Sequence, residues 1–167
     1  TLAGRELMGS GEILGTRLEL SDIHGNTIDT VRSGQDVEID LEFENRTRFR
    51  KENVVVGFRI DTALGATVFL QHNRLTGDDF GVLPERGRFV CRIPRLPLFP
   101  GGYFITFSIM PRGGQDGTYY DNVQDAASFT VVEGDFFGTG RLPPSGFGPC
   151  LVDASWRLDS VKAGQDG

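Results

Sequence analysis

The side chains best suited to binding chemistry gather in one stretch, VVVGFRIDTALGATVFLQHN, from Val54 to Asn73. Arg59 carries a planar guanidinium that can grip a carboxylate or phosphate through two parallel hydrogen bonds. Gln71 and Asn73 each add an amide with donors and acceptors. Phe69 offers an aromatic platform, and Arg74 follows directly. A glycan presents hydroxyls, apolar ring faces and sometimes an acidic cap, so these groups together suit a sugar. Further along, Phe104, Thr106 and Ser108 supply a second ring and two hydroxyls, and Tyr119, Tyr120 and Asp121 stand together after a glycine-rich loop. The plain alternative is an ordinary solvated strand face.

What must position these groups is a β-hairpin. Side chains alternate faces along a strand. Val54, Val56, Phe58 and Ile60 therefore share one face, and Val55, Gly57, Arg59 and Asp61 the other. Thr62 to Gly65 reads as a short hairpin loop. Continuing the parity puts Val68, Leu70 and His72 on the apolar side and brings Phe69, Gln71 and Asn73 out beside Arg59.

Catalysis has little support. Asp61, Asp78, Asp79, Asp121 and Asp125 could in principle supply the carboxylate pair of a glycosidase, but none sits in a pattern that would raise its pKa. No serine occupies a Gly-x-Ser-x-Gly elbow. Only His24 and His72 are present and no metal-ligand spacing occurs, so neither a metal nor a cofactor is expected. Cys91 alternates with Phe89 and Ile93, as a buried free thiol would. An oxidising compartment would instead favour pairing it with Cys150.

The rest of the chain reads as more strands. DVEIDLEFE, from Asp36 to Glu44, alternates with Val37, Ile39, Leu41 and Phe43 inward and acids outward. Glu12 to Leu20, Arg88 to Ile93, Tyr103 to Met110 and Ala127 to Glu133 are further candidates. No helical period appears. Short strands with turn signals about every 8–12 residues predict an all-β, antiparallel, immunoglobulin-like sandwich. Residues 1–11 read as a linker or leader, 12–158 as the sandwich and 159–167 as a tail. Gly138, Gly140, Pro143, Pro144, Gly146, Gly148 and Pro149 make a hinge-like run before a last segment in which Val152, Ala154, Trp156 and Leu158 share a parity. A strand after such a hinge can pack on its own sandwich or on a neighbour's, which predicts a homodimer that depends on residues 136–158.

At 167 residues the chain is long enough to bury a core as one domain. Its net charge of −6 opposes binding to nucleic acid or to an anionic membrane surface. Arg46, Arg48, Arg50 and Lys51 form a local basic spot that reads as a solvated loop. No apolar run reaches the roughly 18 residues of a membrane span, and no signal peptide opens the sequence.

One series of segments resembles a known family. Gly11-Glu12-Ile13, Ser33-Gly34-Gln35-Asp36-Val37, Val56-Gly57-Phe58, Leu64-Gly65-Ala66-Thr67-Val68-Phe69, Leu96 to Tyr103 and Phe129-Thr130-Val131-Val132 follow in the order seen in one domain. That domain is the C-terminal part of the nucleotide-binding subunit, of Wzt type, of bacterial O-antigen polysaccharide ABC transporters. The resemblance spans roughly Gly11 to Trp156. It implies a non-catalytic, cytoplasmic carbohydrate-binding sandwich at the inner face of the inner membrane. It further implies recognition of the non-reducing end of an exported polysaccharide and a homodimer that exchanges its C-terminal strand. The implied partners are an ATPase domain in the same parent chain and a membrane subunit. No glycine-rich loop ending in Gly-Lys-Ser/Thr is present, so ATP hydrolysis is not expected of this chain. Leu70-Gln71-His72-Asn73-Arg74 departs from the small and hydroxyl residues common there, and leaves the sugar open. Under this resemblance Arg59 and Arg74 would meet an acidic cap, and Phe69 or Phe104 a ring or methyl face. The competing reading is an extracellular adhesion or accessory module.

Overall fold

The structure, a computed structural model, describes residues 2–47, 52–113 and 118–162. Of the basic spot, Arg48, Arg50 and Lys51 lie outside these. Eight strands form: β1 (Ile13–Ser21), β2 (Thr30–Arg32), β3 (Val37–Asn45), β4 (Val55–Thr62), β5 (Thr67–His72), β6 (Arg86–Ile93), β7 (Gly101–Met110) and β8 (Asp121–Val132). They make a three-stranded sheet, β1-β3-β6, and a five-stranded sheet, β2-β8-β7-β4-β5. The expected all-β sandwich is what forms, and no helix occurs among the described residues. One pairing is not antiparallel: β2 runs parallel to β8, with Val31 opposite Val131.

The core lies between the sheets. Val37, Ile39, Leu41, Phe43 and Phe89 of the smaller sheet face Val56, Phe58, Ile60, Tyr103, Ile105, Phe107 and Ile109 of the larger. Removing so much apolar surface from water is the main force holding the sheets together. Gly15 sits where a Cβ would come 2.6 Å from the Phe107 ring, so a side chain there would collide with the core. At that point β1 also bulges against β3, between Gly15 and Arg17.

Residues 2–11 contain no strand, yet they are tied to the body. Leu2 N–H donates to Thr16 O, Ser10 N–H to Tyr119 O and Gly11 N–H to Tyr120 O. Arg5 forks onto the fully buried Asp121, which also accepts the Gly15 N–H. This clasp joins β1 to the start of β8.

At the other terminus no strand forms over Cys150–Leu158. A single antiparallel bridge joins Leu98 to Cys150, and Leu151 is buried with its N–H on Pro97 O. Arg95 clasps this region: its guanidinium lies 4.3 Å from the Phe136 ring centre, donates to Phe136 O and pairs with Asp153 at 2.9 Å. Beyond Asp153, Trp156 and Leu158 are 97% and 98% exposed.

Candidate functional site

The central hairpin forms, but with a bulge that reverses the expected parity of its second strand. Asp61 lies opposite Thr67, whereas Ile60 lies opposite Phe69, so Val68 is the extra residue. One inserted residue moves every later side chain to the other face. Phe69 and Gln71 therefore sit on the inner face, opposite Ile60 and Phe58. Leu70, 51% exposed, and His72 come out beside Arg59 and Gly57. The expected grouping of Phe69, Gln71 and Asn73 with Arg59 does not occur. Phe69 packs against the core instead.

The predicted residues thus fall in separate places. Arg59, Phe104, Thr106 and Ser108 do share the outer face of the larger sheet, where Arg59 is opposite Thr106 and Gly57 opposite Ser108. Arg59 is already engaged there. Its Nε lies 3.1 Å from both carboxylate oxygens of Asp61, and Asp61 also accepts from the Thr67 hydroxyl. Thr106 Oγ1 accepts the N–H of Asp125, a residue in the left-handed region at φ 50°. Tyr119 and Tyr120 lie where residues 10 and 11 dock. They are on the β1 and β8 side, away from β5 and β6.

Asn73 is a fastener. Its Oδ1 accepts the Val56 N–H at 2.8 Å, and its Nδ2 donates to Val54 O and Asp78 O. It continues the pairing of β4 past the end of β5 and holds the loop that follows. Arg74 is exposed on that loop, beside a small hollow it shares with Asn53, Asp78, Asp79 and Arg112.

An opening with both aromatic and polar walls lies between the sheets, where edge strands β5 and β6 leave the sandwich open. It is a crevice of about 540 Å³, within the range of small-ligand sites. Gln71 and Asn73 line it from β5 and beyond, Cys91 and Arg92 from β6, and Asp78, Asp79 and Phe80 from the connecting loop. Phe43 and Phe89 stack at 4.2 Å, and Phe80 lies 5.0 Å from Phe89 in a tilted pair. An aromatic column thus rises from the core to a ring that is 37% exposed. Asp78 and Asp79 are exposed at this opening. Burial pushes the Cys91 thiol up, and the Asp78 carboxylate pushes it further. Both cysteines are free. Among the described residues no group of His, Cys, Asp and Glu could hold a metal ion.

Phe80, Asp78 and Asp79 were not singled out for binding from sequence. Their signal was an aromatic inside an otherwise polar, glycine-bearing loop, RLTGDDFG from Arg74 to Gly81.

The family model described as the Wzt C-terminal domain matches residues 5–142. The chain belongs to the Wzt C-terminal domain family. A crystal structure of the C-terminal domain of Wzt shares the fold at TM-score 0.72, with 15% identity over 94% of this chain and 90% of that one. Two further structures are much less similar. A Pseudomonas fluorescens alkylpurine DNA glycosylase, AlkC, bound to DNA gives TM-score 0.45 at 11% identity, over 72% of this chain and 30% of that one. A Listeria innocua β-glucosidase with glucose gives 0.40 at 9%, over 72% and 16%. Values that low carry no inference. No curated protein matches the chain in sequence. As a Wzt C-terminal domain the chain is a non-catalytic carbohydrate-binding module of an O-antigen ABC transporter subunit, whose ATPase domain is a separate N-terminal part. No helix of the described residues is long and apolar enough to cross a membrane.

Proposed function

We propose that this Wzt C-terminal domain binds the non-reducing end of an O-antigen polysaccharide in the crevice between β5 and β6. The carrying observation is the crevice itself, an opening walled by an exposed aromatic ring, an amide and two carboxylates. An aromatic face suits the apolar side of a pyranose, while amide and carboxylate suit its hydroxyls. A crevice closed behind by the core admits a chain end more readily than a chain interior. Once bound, the end would report to the transporter's membrane subunit from the cytoplasmic side, with the ATPase domain in the same parent chain. The domain acts as a homodimer in this reading, because Trp156 and Leu158 are left bare in one copy.

The test is calorimetric binding of one polysaccharide with and without its terminal residue. Loss of binding with the terminus is expected; equal binding to both refutes end recognition. Gln71→Ala and Phe80→Ala each remove one wall group and should weaken binding about ten- to hundredfold, for roughly 1–3 kcal/mol lost. Wild-type affinity in both folded variants would move the site elsewhere. Arg59→Ala tests the outer sheet face by the same measure.

A further inference from the structure

The outer face of the five-stranded sheet carries a second hollow, which shares no lining residue with the crevice. It measures about 270 Å³ and lies where β2, β8 and β7 run side by side. Strand register sets its lining. Thr30 of β2 is opposite Thr130 of β8, and Thr130 is opposite Gly102 of β7. One outward row along, Ser128 is opposite Phe104. Ala63 adjoins Gly102 and donates its N–H to the Gly102 carbonyl. Small residues thus floor a trough that runs across the strands, with the Phe104 ring at its border.

Gly102 is the telling residue. Glycine inside a strand weakens it, and often marks a place where a ligand comes close. Neither backbone nor packing requires glycine here. Its φ is outside the left-handed region, and an added Cβ would meet only the Ala63 Cβ, at an ordinary 3.8 Å. Phe104 is half-buried, yet it packs outside the core between the sheets. Elsewhere on this face the polar groups already have partners: Arg59 and Thr67 hold Asp61, and Thr106 accepts the Asp125 N–H. Around the trough, the Ser128 and Thr130 hydroxyls make no hydrogen bond among the described residues. Asp29, which also lines it, accepts the Thr30 hydroxyl at 3.2 Å through one carboxylate oxygen.

We infer that this trough is a second saccharide subsite, holding a sugar unit from the interior of the polysaccharide. The inference rests on the glycan-binding reading and adds a site to it. Phe104 covers the apolar face of a pyranose, and Ser128, Thr130 and Asp29 meet its hydroxyls. Thr30, Ala63, Gly102, Ser128 and Thr130 are all exposed. The trough is therefore shallow and open, so a chain can pass through it, whereas the crevice takes an end. Its hold on one sugar is weak and escapes calorimetry. Tethered to an end seated in the crevice, the same sugar meets the trough at high effective concentration and tightens binding of the whole chain.

Two measurements test this. In the first, the polysaccharide stripped of its terminal residue is titrated into the protein and amide shifts are followed by NMR. Gly102, Phe104, Ser128 and Thr130 should move, and Gln71 and Phe80 should not. Shifts confined to the crevice, or no shifts, overturn the inference and leave end recognition to its own calorimetric test. The second compares fragments that keep the native terminus but carry one or several repeating units. The longer fragment should bind at least about tenfold tighter. Gly102→Leu fills the trough at a position with room for a side chain, and should remove that gain while leaving affinity for the short fragment unchanged. Phe104→Ala should also reduce the gain. Equal affinity for both fragments, or a gain that survives in both folded variants, overturns the inference. Binding of no fragment and no polysaccharide overturns the glycan-binding reading as well.

Discussion

Asp121 shows how much one buried charge asks of its neighbours. It is fully buried and accepts from the Arg5 guanidinium and from the N–H groups of Gly15 and Asn122. Removing one partner of such a pair leaves an uncompensated charge in the interior. Arg5→Ala should therefore destabilise the domain by about 3–5 kcal/mol, as read from chemical denaturation. Adding Asp121→Asn to Arg5→Ala should recover part of that loss, because the stranded charge is gone. If Arg5→Ala is silent, the clasp is ornamental. Cys91 supplies a second residue-scale prediction. Its raised pKa means that alkylation by a neutral reagent should be slow and keep accelerating with pH beyond the usual thiol range, while the exposed Cys150 reacts faster at neutral pH. A Cys91 rate that levels off in the ordinary range would contradict the buried setting described above.

At the scale of elements, the loop between β5 and β6 depends on Asn73. That one amide makes three hydrogen bonds, accepting the Val56 N–H and donating to Val54 O and Asp78 O. Asn73→Ala should cost roughly 1–3 kcal/mol and raise hydrogen exchange in residues 74–82, with glycan affinity falling because Phe80 and the two aspartates lose their placement. Unchanged exchange in that loop would mean the amide does not hold it. The Arg95–Asp153 pair is the corresponding fastener of the C-terminal region. Arg95 holds the Asp153 carboxyl below its ordinary value. The sign follows: the attachment is present above the unfolded carboxylate pKa and is lost as pH falls through the depressed folded one. Exposed as it is, the pair should also weaken with salt. Trp156 fluorescence anisotropy against pH and salt would follow the release.

At the scale of the molecule, the segment after Asp153 is the unfinished part. Trp156, Leu158 and Val161 are largely exposed on a stretch with no strand partner among the described residues. Apolar side chains on that scale mark an interaction surface, and a second copy is the occupant proposed here. Light scattering should find the full chain dimeric and a truncation after Asp153 monomeric. That truncation keeps the buried Phe136 and Leu151, so the sandwich itself should survive. A monomeric full chain, or a dimeric truncation, would end this proposal.

Much of the architecture was legible because it depends on local pattern. DVEIDLEFE alternates with period two, and β3 carries it in the middle of its sheet with the acids turned away from the core. Hydrophobic alternation and turn residues led to the sandwich, and a series of short segments led to the family. The site was less legible, for a specific reason. Face assignment along β5 depends on register, and one bulged residue at Val68 exchanges its two faces while leaving the local sequence signal untouched. Whether Asn73 meets a ligand or the backbone of β4 depends on partners distant in sequence, whereas the hold of Asp61 on Arg59 joins two residues of one strand face and was within reach of the alternation pattern. The parallel placement of β2 beside β8, and the opening between β5 and β6, are likewise set by how two sheets stack. Alternation within a strand is determined by residues next to one another; a crevice is determined by strands that meet only after the chain has folded.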